Sequence, residues 1–381
     1  MDPPPHRHRI GEIATSFLKL GLIAFGGPAA HVAIFEDEFV RRRKWISRHH
    51  FLDLIGATNL IPGPNSTELA IHIGFVRAGW PGFFLAGLCF IAPAMLIILG
   101  FSWFYVRYGE IPEIEAILYG IKPVMIAIIL QAFLSLGKVA LKSWLHVAFG
   151  FAALVVYFLG MHPLTILVIF GALFFTIYVL KERFGQVHGI FCLSASIVPG
   201  ILINSVPFSY TTLFFTFLKI GAVLYGSGYV LLAYLQADFV EQLGWVTEQQ
   251  LLDAISIGQV TPGPLFTAAT FIGYLVGGLP GGLLATLGIF LPSFIFVAIS
   301  NPVIPRMRSS HSLSILLDGI NVLSLGMMAA ITVVLGRAAL VDPVSIGIFL
   351  VAAGLLFFFK VNATWLILGG AIIGWLASFI R

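Results

Sequence analysis

The sequence repeats itself at an offset of 200 residues. Phe17-Leu18-Lys19 returns as Phe217-Leu218-Lys219, and Pro62-Gly63-Pro64 returns as Pro262-Gly263-Pro264. Residues 17–67 and 217–267 are identical at 16 of 51 positions without a gap, and the match then slips by one residue. Chance similarity between apolar segments does not hold a lysine and two prolines in register. The chain is therefore predicted to consist of two homologous halves, 10–180 and 211–380, joined by a linker at 181–210.

Composition places both halves in a membrane. The chain is 59% hydrophobic and 10% charged, compared with roughly 25% charged residues in soluble domains, and its mean hydropathy is +1.00. A spanning helix needs about 20 apolar residues. Four stretches are long enough and carry no Lys, Arg, Asp or Glu: 78–106, 143–180, 254–305 and 361–380. We therefore expect an all-α, multi-pass protein of the cell (inner or plasma) membrane, with no removable signal peptide.

Each half shows the same order of segments. A first apolar segment with a glycine-rich break (13–35, 211–235) leads into an amphipathic stretch (36–52, 236–252). Two short apolar pieces separated by Pro-Gly-Pro follow, and each is too short to span alone at about 1.5 Å per residue. Four longer segments complete each half, at 81–106, 114–138, 143–160 and 163–180, then at 281–300, 313–336, 344–359 and 362–380. The pattern predicts about ten transmembrane helices and a broken or re-entrant helix pair in each half. Entry of the linker residues 184–205 into the membrane is left open.

The two halves are expected to have opposite orientations in the membrane. If each Pro-Gly-Pro pair returns to the side it came from, a half crosses five times, and an odd number inverts the second half. Residues 36–48 hold five basic side chains, whereas 236–248 hold none, and cytoplasmic loops attract Lys and Arg. Arg7 and Arg9 in the N-terminal tail argue for the other orientation of the first segment. Duplication of this kind is typical of transporters that bind their substrate between the halves.

The half-helices that begin after Pro-Gly-Pro are candidate anion sites. A helix N-terminus presents unpaired N–H groups and carries about half a positive charge. Polar residues flank both breaks: Asn59, Asn65, Ser66 and Thr67 in the first half, and Gln259, Thr261 and Thr267 in the second. Such donors suit a tetrahedral oxyanion, which accepts several hydrogen bonds at once. The alternative is that Pro-Gly-Pro is only a structural break.

Other residues extend the candidate site. Lys19 and Lys219 lie within apolar segments, where an ammonium group either has a function or extends to the membrane interface. The glycine-rich breaks allow close approach of a ligand or close helix packing. Glu68, which corresponds to Ala268, is a candidate proton carrier or a salt-bridge partner. The predicted substrate-binding set is Lys19, Gly26, Gly27, His31, Asn59, Pro62, Gly63, Pro64, Asn65, Ser66, Thr67, Lys219, Gly226, Ser227, Gln259, Thr261, Pro262, Gly263, Pro264 and Thr267. His31 corresponds to Leu231, and Cys89 and Cys192 are isolated, so no metal site, disulfide or cofactor is predicted.

Three motifs together resemble a known family. These are Phe25-Gly26-Gly27-Pro28-Ala29-Ala30-His31, the stretch from Glu38 through Trp45-Ile46-Ser47, and Asn59-Leu60-Ile61-Pro62-Gly63-Pro64. The combination is similar to the chromate transporter family in its long form with two fused homologous domains. The resemblance covers nearly the whole chain and implies about ten spans, inverted halves and export of chromate, with chromate resistance as its result. The second half keeps Pro-Gly-Pro, Lys219 and Trp245, but it has Gly-Ser-Gly in place of Gly-Gly-Pro and lacks the arginine cluster.

Several function classes remain to be compared. A sulfate or other oxyanion carrier fits the same residues, because sulfate and chromate share charge and shape. An intramembrane enzyme is disfavoured, since the chain has neither an HExxH nor a GxSxG motif, and a passive scaffold leaves the matched helix breaks unexplained. No GxxxxGK[ST] loop indicates direct ATP coupling. The expected partners are the lipid bilayer and a chromate- or sulfate-like oxyanion, with no nucleic acid, and a homodimer is left open.

Overall fold

The computed structural model describes residues 6–25, 27–109, 111–184, 206–225, 228–300, 311–359 and 361–377. Within these ranges the protein is helical and contains no strand. The first half holds α1 His6–Ile23, α2 Gly27–Phe35, α3 Arg48–Thr58, α4 Asn65–Tyr108, α5 Pro112–Ala140, α6 Trp144–Phe158 and α7 Pro163–Phe184. The second half holds α8 Tyr210–Val223, α9 Leu231–Leu235, α10 Glu248–Val260, α11 Ala268–Ser300, α12 His311–Ala339, α13 Pro343–Phe358 and α14 Ala363–Ala377.

Among the described residues, five helical segments are long and apolar enough to cross a membrane. They are Asn65–Tyr108, Pro112–Ala140, Pro163–Lys181, Leu265–Ser300 and Ser312–Ala339, and four shorter apolar helices (α6, α8, α13 and α14) accompany them. The predicted all-helical, repeated, membrane-type fold is confirmed.

The helix after each Pro-Gly-Pro break bends at a second glycine. The backbone leaves helical geometry at Ala78 and Gly79 in α4, and at Gly277 and Gly278 in α11. Gly79 and Gly278 have φ of +64° and +60°, a region that residues other than glycine avoid. These bends separate the short apolar piece from the longer one in each half, as the segment pattern predicts.

The one-residue slip between the halves has a local structural cause. The first half is α-helical from Asn65, whereas the second half starts with a 3₁₀ turn at Leu265–Thr267. A 3₁₀ helix rises about 2.0 Å per residue and an α-helix about 1.5 Å. The 12 residues 265–276 therefore span about 20 Å, the same length as the 13 residues 65–77. The tighter turn compensates for the missing residue and keeps the two bends in equivalent places.

Each Pro-Gly-Pro motif forms the bend that the sequence predicts. Gly63 and Gly263 have φ of +130° and +94°. Pro64 and Pro264 are extended residues that immediately precede the following helix. The helices begin at the next residues, Asn65 and Leu265. The missing N–H is tolerated at this position, because a residue at the start of a helix has no intrahelical acceptor.

The breaks of the two halves bond to each other across the molecule. The Gly63 amide donates to the Leu224 carbonyl at 2.8 Å, and the Gly263 amide donates to the Ala24 carbonyl at 2.9 Å. Leu224 and Ala24 follow the ends of α8 and α1 and are themselves equivalent positions. Each Pro-Gly-Pro motif thus satisfies a carbonyl at the broken first helix of the other half, and the reciprocal pair gives the centre of the protein an approximate two-fold symmetry.

Packing between the halves is also reciprocal. Helix α4 packs on α1 and α11 packs on α8, while α4 and α11 contact each other. Helix α5 packs against α13 and α14 of the second half, and α12 packs against α6 and α7 of the first. A large cluster of buried apolar side chains therefore spans both halves. A second, smaller cluster lies within the first half.

The basic cluster of the first half forms ion pairs within a π-helical turn. Residues Glu36–Arg42 are π-helical, which places residues five apart on the same face. Arg42 pairs with Asp37 at 2.8 Å and Arg43 pairs with Glu38 at 2.6 Å. The equivalent turn Gln236–Gln242 lacks the arginines. The repeat thus conserves backbone geometry here without conserving charge.

Candidate functional site

A cavity of about 560 Å³ lies where the helix breaks of the two halves meet. This volume is within the range of small-ligand pockets, roughly 300–1,000 Å³. The cavity is lined from the first half by His31, Asn59, Ile61, Gly63, Pro64, Asn65, Ser66 and residues of α5, and from the second half by Tyr225, residues 228–230, Leu265, Phe266 and one face of α12. The site is therefore shared between the halves.

The N-terminus of α4 supplies the main hydrogen-bond donors. Helical bonding to the Pro64 carbonyl begins with the Thr67 amide at 2.8 Å, so the Asn65 and Ser66 amides precede the bonded part of the helix. Both residues line the cavity. The Asn65 side-chain amide donates to the Asn59 side-chain oxygen at 2.8 Å, which fixes the orientation of both groups. Two free amides and a partial positive charge at a helix end form a binding surface for an anion.

His31 contributes a second polar group at this end of the cavity. The ring is buried, and its Nε2 atom donates to the Ala24 carbonyl at 3.0 Å. Its Nδ1 atom has no hydrogen-bond partner among the described residues. The Tyr225 hydroxyl donates to the Asn59 carbonyl at 2.8 Å and holds the break from the side of the second half. His31 is thus a predicted site residue that the structure places on the cavity wall. Because Nε2 carries the proton, the buried Nδ1 atom has only a lone pair and cannot donate to an anion.

Two charged side chains lie on the cavity lining in the described part of the chain. The Lys142 ammonium follows α5 and bonds both carboxylate oxygens of Asp318 on α12, at 2.7 and 2.8 Å. The side chains are 54% and 31% exposed. Because the pair joins the two halves and is accessible to water, it places a cation where an entering anion can reach it, and a carboxylate that competes for that cation.

The second half contributes differently from the first. Leu265 and Phe266 stand where the first half has Asn65 and Ser66, and they line the cavity with apolar side chains. The Thr261 and Thr267 hydroxyls donate to carbonyls of their own segments, Ile257 and Pro264, each at 2.7 Å. The residues Gln259, Thr261, Pro262, Gly263, Pro264 and Thr267 do not line the cavity. The structure therefore brings one polar helix end to the cavity, not the expected matched pair.

The two register-matched lysines lie away from the cavity. Lys19 is exposed, and Lys219 forms an ion pair with the buried carboxylate of Asp238. His162 contacts the same carboxylate at 3.2 Å. Neither lysine is an isolated buried ammonium, because Lys19 is exposed on the surface of the protein and Lys219 has an acidic partner. The two lysines occupy equivalent positions on equivalent helices, but the groups around them differ.

The remaining predicted residues fall into three groups. Gly26, Gly226 and Ser227 lie outside the described residues. Gly27 has φ of +77° at the start of α2 and, like Pro62, does not line the cavity. Thr67 and Glu68 are fully buried behind the cavity wall, and neither side chain has a hydrogen-bond partner among the described residues. The described residues contain no group of three or more His, Cys, Asp or Glu that could hold a metal ion.

Sequence reasoning missed the contribution of α5 and α12. Ser135 and Lys142 line the cavity from the first half, and Asp318, Asn321 and Ser324 line it from the second. Asp318, Asn321 and Ser324 recur at every third position of an otherwise apolar segment. This spacing places polar groups along one side of a helix, and an acidic group within such a segment indicates a functional site by default. That signal was available in the sequence.

Comparison with known proteins assigns the class and then the family. The fold and the cavity between repeated halves are those of a membrane transporter. The sequence model described as Chromate transporter matches residues 11–177 and 211–375, and this chain belongs to the chromate transporter family. It is 30% identical to "Chromate transport protein" of Pseudomonas aeruginosa over 98% of this chain and 93% of that protein. It is also 30% identical to "Probable chromate transport protein" of Synechococcus elongatus, over 88% and 86% of the two chains. No solved structure matches.

Proposed function

We propose that this protein transports chromate out of the cell and thereby confers chromate resistance. The observation that carries the proposal is the cavity between the halves, which is lined by Asn65 and Ser66 at the start of α4 and by Lys142. Membership in the family and the names of the relatives support chromate as the substrate. A tetrahedral dianion accepts hydrogen bonds from several directions, and this arrangement offers donors without burying a fixed cation.

The membrane potential supports outward flux. Moving one elementary charge across 100 mV is worth about 2.3 kcal/mol. A dianion that leaves a cell with a negative interior therefore gains about 4.6 kcal/mol per 100 mV. This gain corresponds to a concentration ratio of about three orders of magnitude. Export needs no ATP under these conditions, and it requires the protein to reside in the membrane that bounds the cytoplasm.

Transport by this route needs access to the cavity from either side in turn. We propose that the halves have opposite orientations and that the reciprocal bonds of Gly63 and Gly263 form the pivot between them. Cysteines introduced at Arg42 and Gln242, which are equivalent and both exposed, test the orientation in a variant without native cysteines. An impermeant reagent should label one position from outside and the other only after permeabilisation. Labelling of both from the same side would exclude inverted halves.

The direct test is chromate flux into vesicles that contain the purified protein. Labelled chromate should accumulate when an imposed potential draws anions inward, and empty vesicles should show none. Asn65→Pro removes one of the two free backbone amides at the start of a helix, where proline is tolerated, and should slow this flux. Thr267→Val is the matched control, because it removes a buried hydroxyl outside the cavity. Equal flux through both variants would contradict the assigned site, and wild-type vesicles without flux would contradict the function.

Sulfate is the second candidate substrate. The amides of α4 recognise charge and shape, which sulfate and chromate share, and no described lining residue is specific for chromium. Competition by sulfate, molybdate and phosphate in the same vesicles separates the candidates. We expect unlabelled chromate to inhibit the uptake of labelled chromate more strongly than any of these three anions. A lower inhibition constant for sulfate would assign the protein as a sulfate carrier that admits chromate.

A further inference from the structure

Glu68 is a buried carboxyl group that the proposed anion site does not use. It lies in the first turn of α4, has no exposed surface, and neither oxygen has a hydrogen-bond partner among the described residues. An ionised carboxylate in such surroundings is strongly disfavoured unless a cation or several donors stabilise it. In the state shown by this structure, the group is therefore expected to carry a proton.

A single glycine separates this carboxyl group from the cavity. Gly63 lines the cavity, and a Cβ atom at Gly63 would collide with Glu68 Oε1 and lie 2.9 Å from Ser293 Oγ. The Ser293 side chain is fully buried, and its hydroxyl meets strict hydrogen-bond geometry with no partner among the described residues, although it interacts with the Glu68 carboxyl group. The Glu68 carboxyl group and the Ser293 hydroxyl thus both lie where a side chain at position 63 would be. An anion in the cavity would lie on the other side of the Gly63 backbone.

The second half shows that the fold does not need these polar groups. Its equivalent glycine, Gly263, faces the Cβ atom of Ala94 at 2.8 Å. Ala268 stands at the position of Glu68, and Ala94 stands at the position of Ser293 through the offset of 199 that follows the slip. The same backbone packing therefore exists in this protein with two alanines. A fully buried carboxyl group at one of two equivalent sites is a functional feature, because packing alone is satisfied without it.

The basic groups on neighbouring helices are engaged elsewhere. On α1, Lys19 is exposed, and Glu12 pairs with Arg77 at 2.7 Å. On α10, Asp253 pairs with Lys122 at 3.0 Å. Helix α11 carries no Lys, Arg, Asp, Glu or His between 268 and 300. The ion pairs of the described residues therefore leave Glu68 without a cationic partner.

Three further titratable groups lie near Glu68. His31 on α2 donates to the Ala24 carbonyl. Tyr225 donates to the Asn59 carbonyl and lies within electrostatic range of Glu68. His72 is buried one helical turn further along α4. His31 and Tyr225 face the cavity, and each donates its proton to a backbone carbonyl. Glu68 is therefore the group whose protonation can change with the state of the cavity.

We propose that Glu68, with Ser293, is a proton-binding site and that one proton crosses the membrane together with each anion. The inference rests on the proposed anion transport. An ionised Glu68 would repel a dianion behind Gly63, whereas a protonated Glu68 would not. Protonation therefore raises the affinity for the anion, and the bound anion raises the affinity for the proton by the same factor. One proton with one dianion moves a single net negative charge, so the membrane potential still favours export.

The test is the number of charges that move with each chromate ion. Potassium and valinomycin set the membrane potential of the vesicles. For each chromate gradient, the potential at which net chromate flux stops is measured. The pH is alkaline, so that chromate is a dianion. We expect the wild type to move one net charge per chromate and to respond to a pH gradient. Glu68→Gln, which is permanently neutral, should still transport but move two charges and lose the response to the pH gradient. Glu113→Gln, at an exposed carboxyl group, should behave as the wild type.

A second variant covers the case in which Glu68→Gln does not fold. The double variant Glu68→Ala/Ser293→Ala copies the pair that already packs in the second half, and it should also move two charges per chromate. Wild-type flux with two charges per chromate, a Glu68→Gln variant with an unchanged response to pH, or flux driven by a sodium gradient at constant pH would overturn the proposal. Absence of any wild-type chromate flux would instead refute the transport function itself.

Discussion

Replacement of Gly63 by alanine tests the arrangement at the centre of the protein. The substitution brings two costs. The first is backbone strain, because φ of +130° is outside the range of alanine and costs about 1–3 kcal/mol. The second is the collision of the new Cβ atom with Glu68 and its 2.9 Å approach to Ser293 Oγ. Overpacking of this kind costs about 1–3 kcal/mol, so we expect a total destabilisation of about 2–6 kcal/mol.

Gly79→Ala is the matched control for this prediction. Gly79 has φ of +64° and ψ of −146°, and no atom lies within 4 Å of a Cβ built there. The control therefore carries the strain of about 1–3 kcal/mol without the collision. In detergent, apparent thermal unfolding should shift further for Gly63→Ala than for Gly79→Ala. The collision cost of about 1–3 kcal/mol corresponds to a difference of about 1–6 °C, if each kcal/mol shifts the midpoint by roughly 1–2 °C in a chain of this size.

A double variant separates strain from collision. Glu68→Ala in the Gly63→Ala background removes the main obstacle and copies Ala268, so part of the lost stability should return. The same change in the Gly79→Ala background should give no such recovery, because Gly79 does not contact Glu68. Equal shifts for the two glycine variants, or the absence of recovery in the double variant, would refute the close approach of Gly63 and Glu68 from which the proton site is inferred.

Three further predictions concern the lysines. Lys142→Gln should raise the KM for chromate by about 5- to 30-fold, because a dianion and a largely solvated cation about 5 Å apart attract each other by about 1–2 kcal/mol. Lys138→Gln, at an exposed lysine, should leave the KM unchanged. Lys219→Gln should lower the free energy of unfolding by about 1–3 kcal/mol, because it leaves the buried Asp238 carboxylate without its cation. This loss is smaller than for a fully buried pair, since Lys219 is partly exposed. Lys19→Gln should change neither flux nor thermal stability, and a loss of flux would return Lys19 to the candidate site.

The two halves have the same architecture and different chemistry. Their equivalent glycines bend at the same places and bond to each other's broken helix. At the cavity, however, Asn65 and Ser66 face Leu265 and Phe266. After duplication, the positions that set the backbone are held by geometry, because few residues tolerate a positive φ. Side chains that point into the cavity are free to differ, and one half now supplies most of the donors.

The sequence by itself determined the repeat, the apolar segments and the places where the helices break. Each depends on local information: a positive φ selects glycine, a missing N–H confines proline to a helix start, and a spanning helix requires about 20 apolar residues. The positions of Gly63 and Gly263 could therefore be predicted, and so could the polar residues at the start of α4. His31 could be proposed as a site residue from its place beside the first break.

Only the tertiary structure decided which of these residues meet. The equal register of Lys19 and Lys219 suggested equal roles, yet Lys19 is exposed on the protein surface and Lys219 pairs with Asp238. Asp318 joins Lys142 across 176 residues of sequence, and Glu68 faces Ser293 because α4 packs on α11. Such contacts depend on how two complete halves dock. Local propensity and periodicity fix the elements, but the docking of distant surfaces sets which side chains share a cavity and which are buried alone.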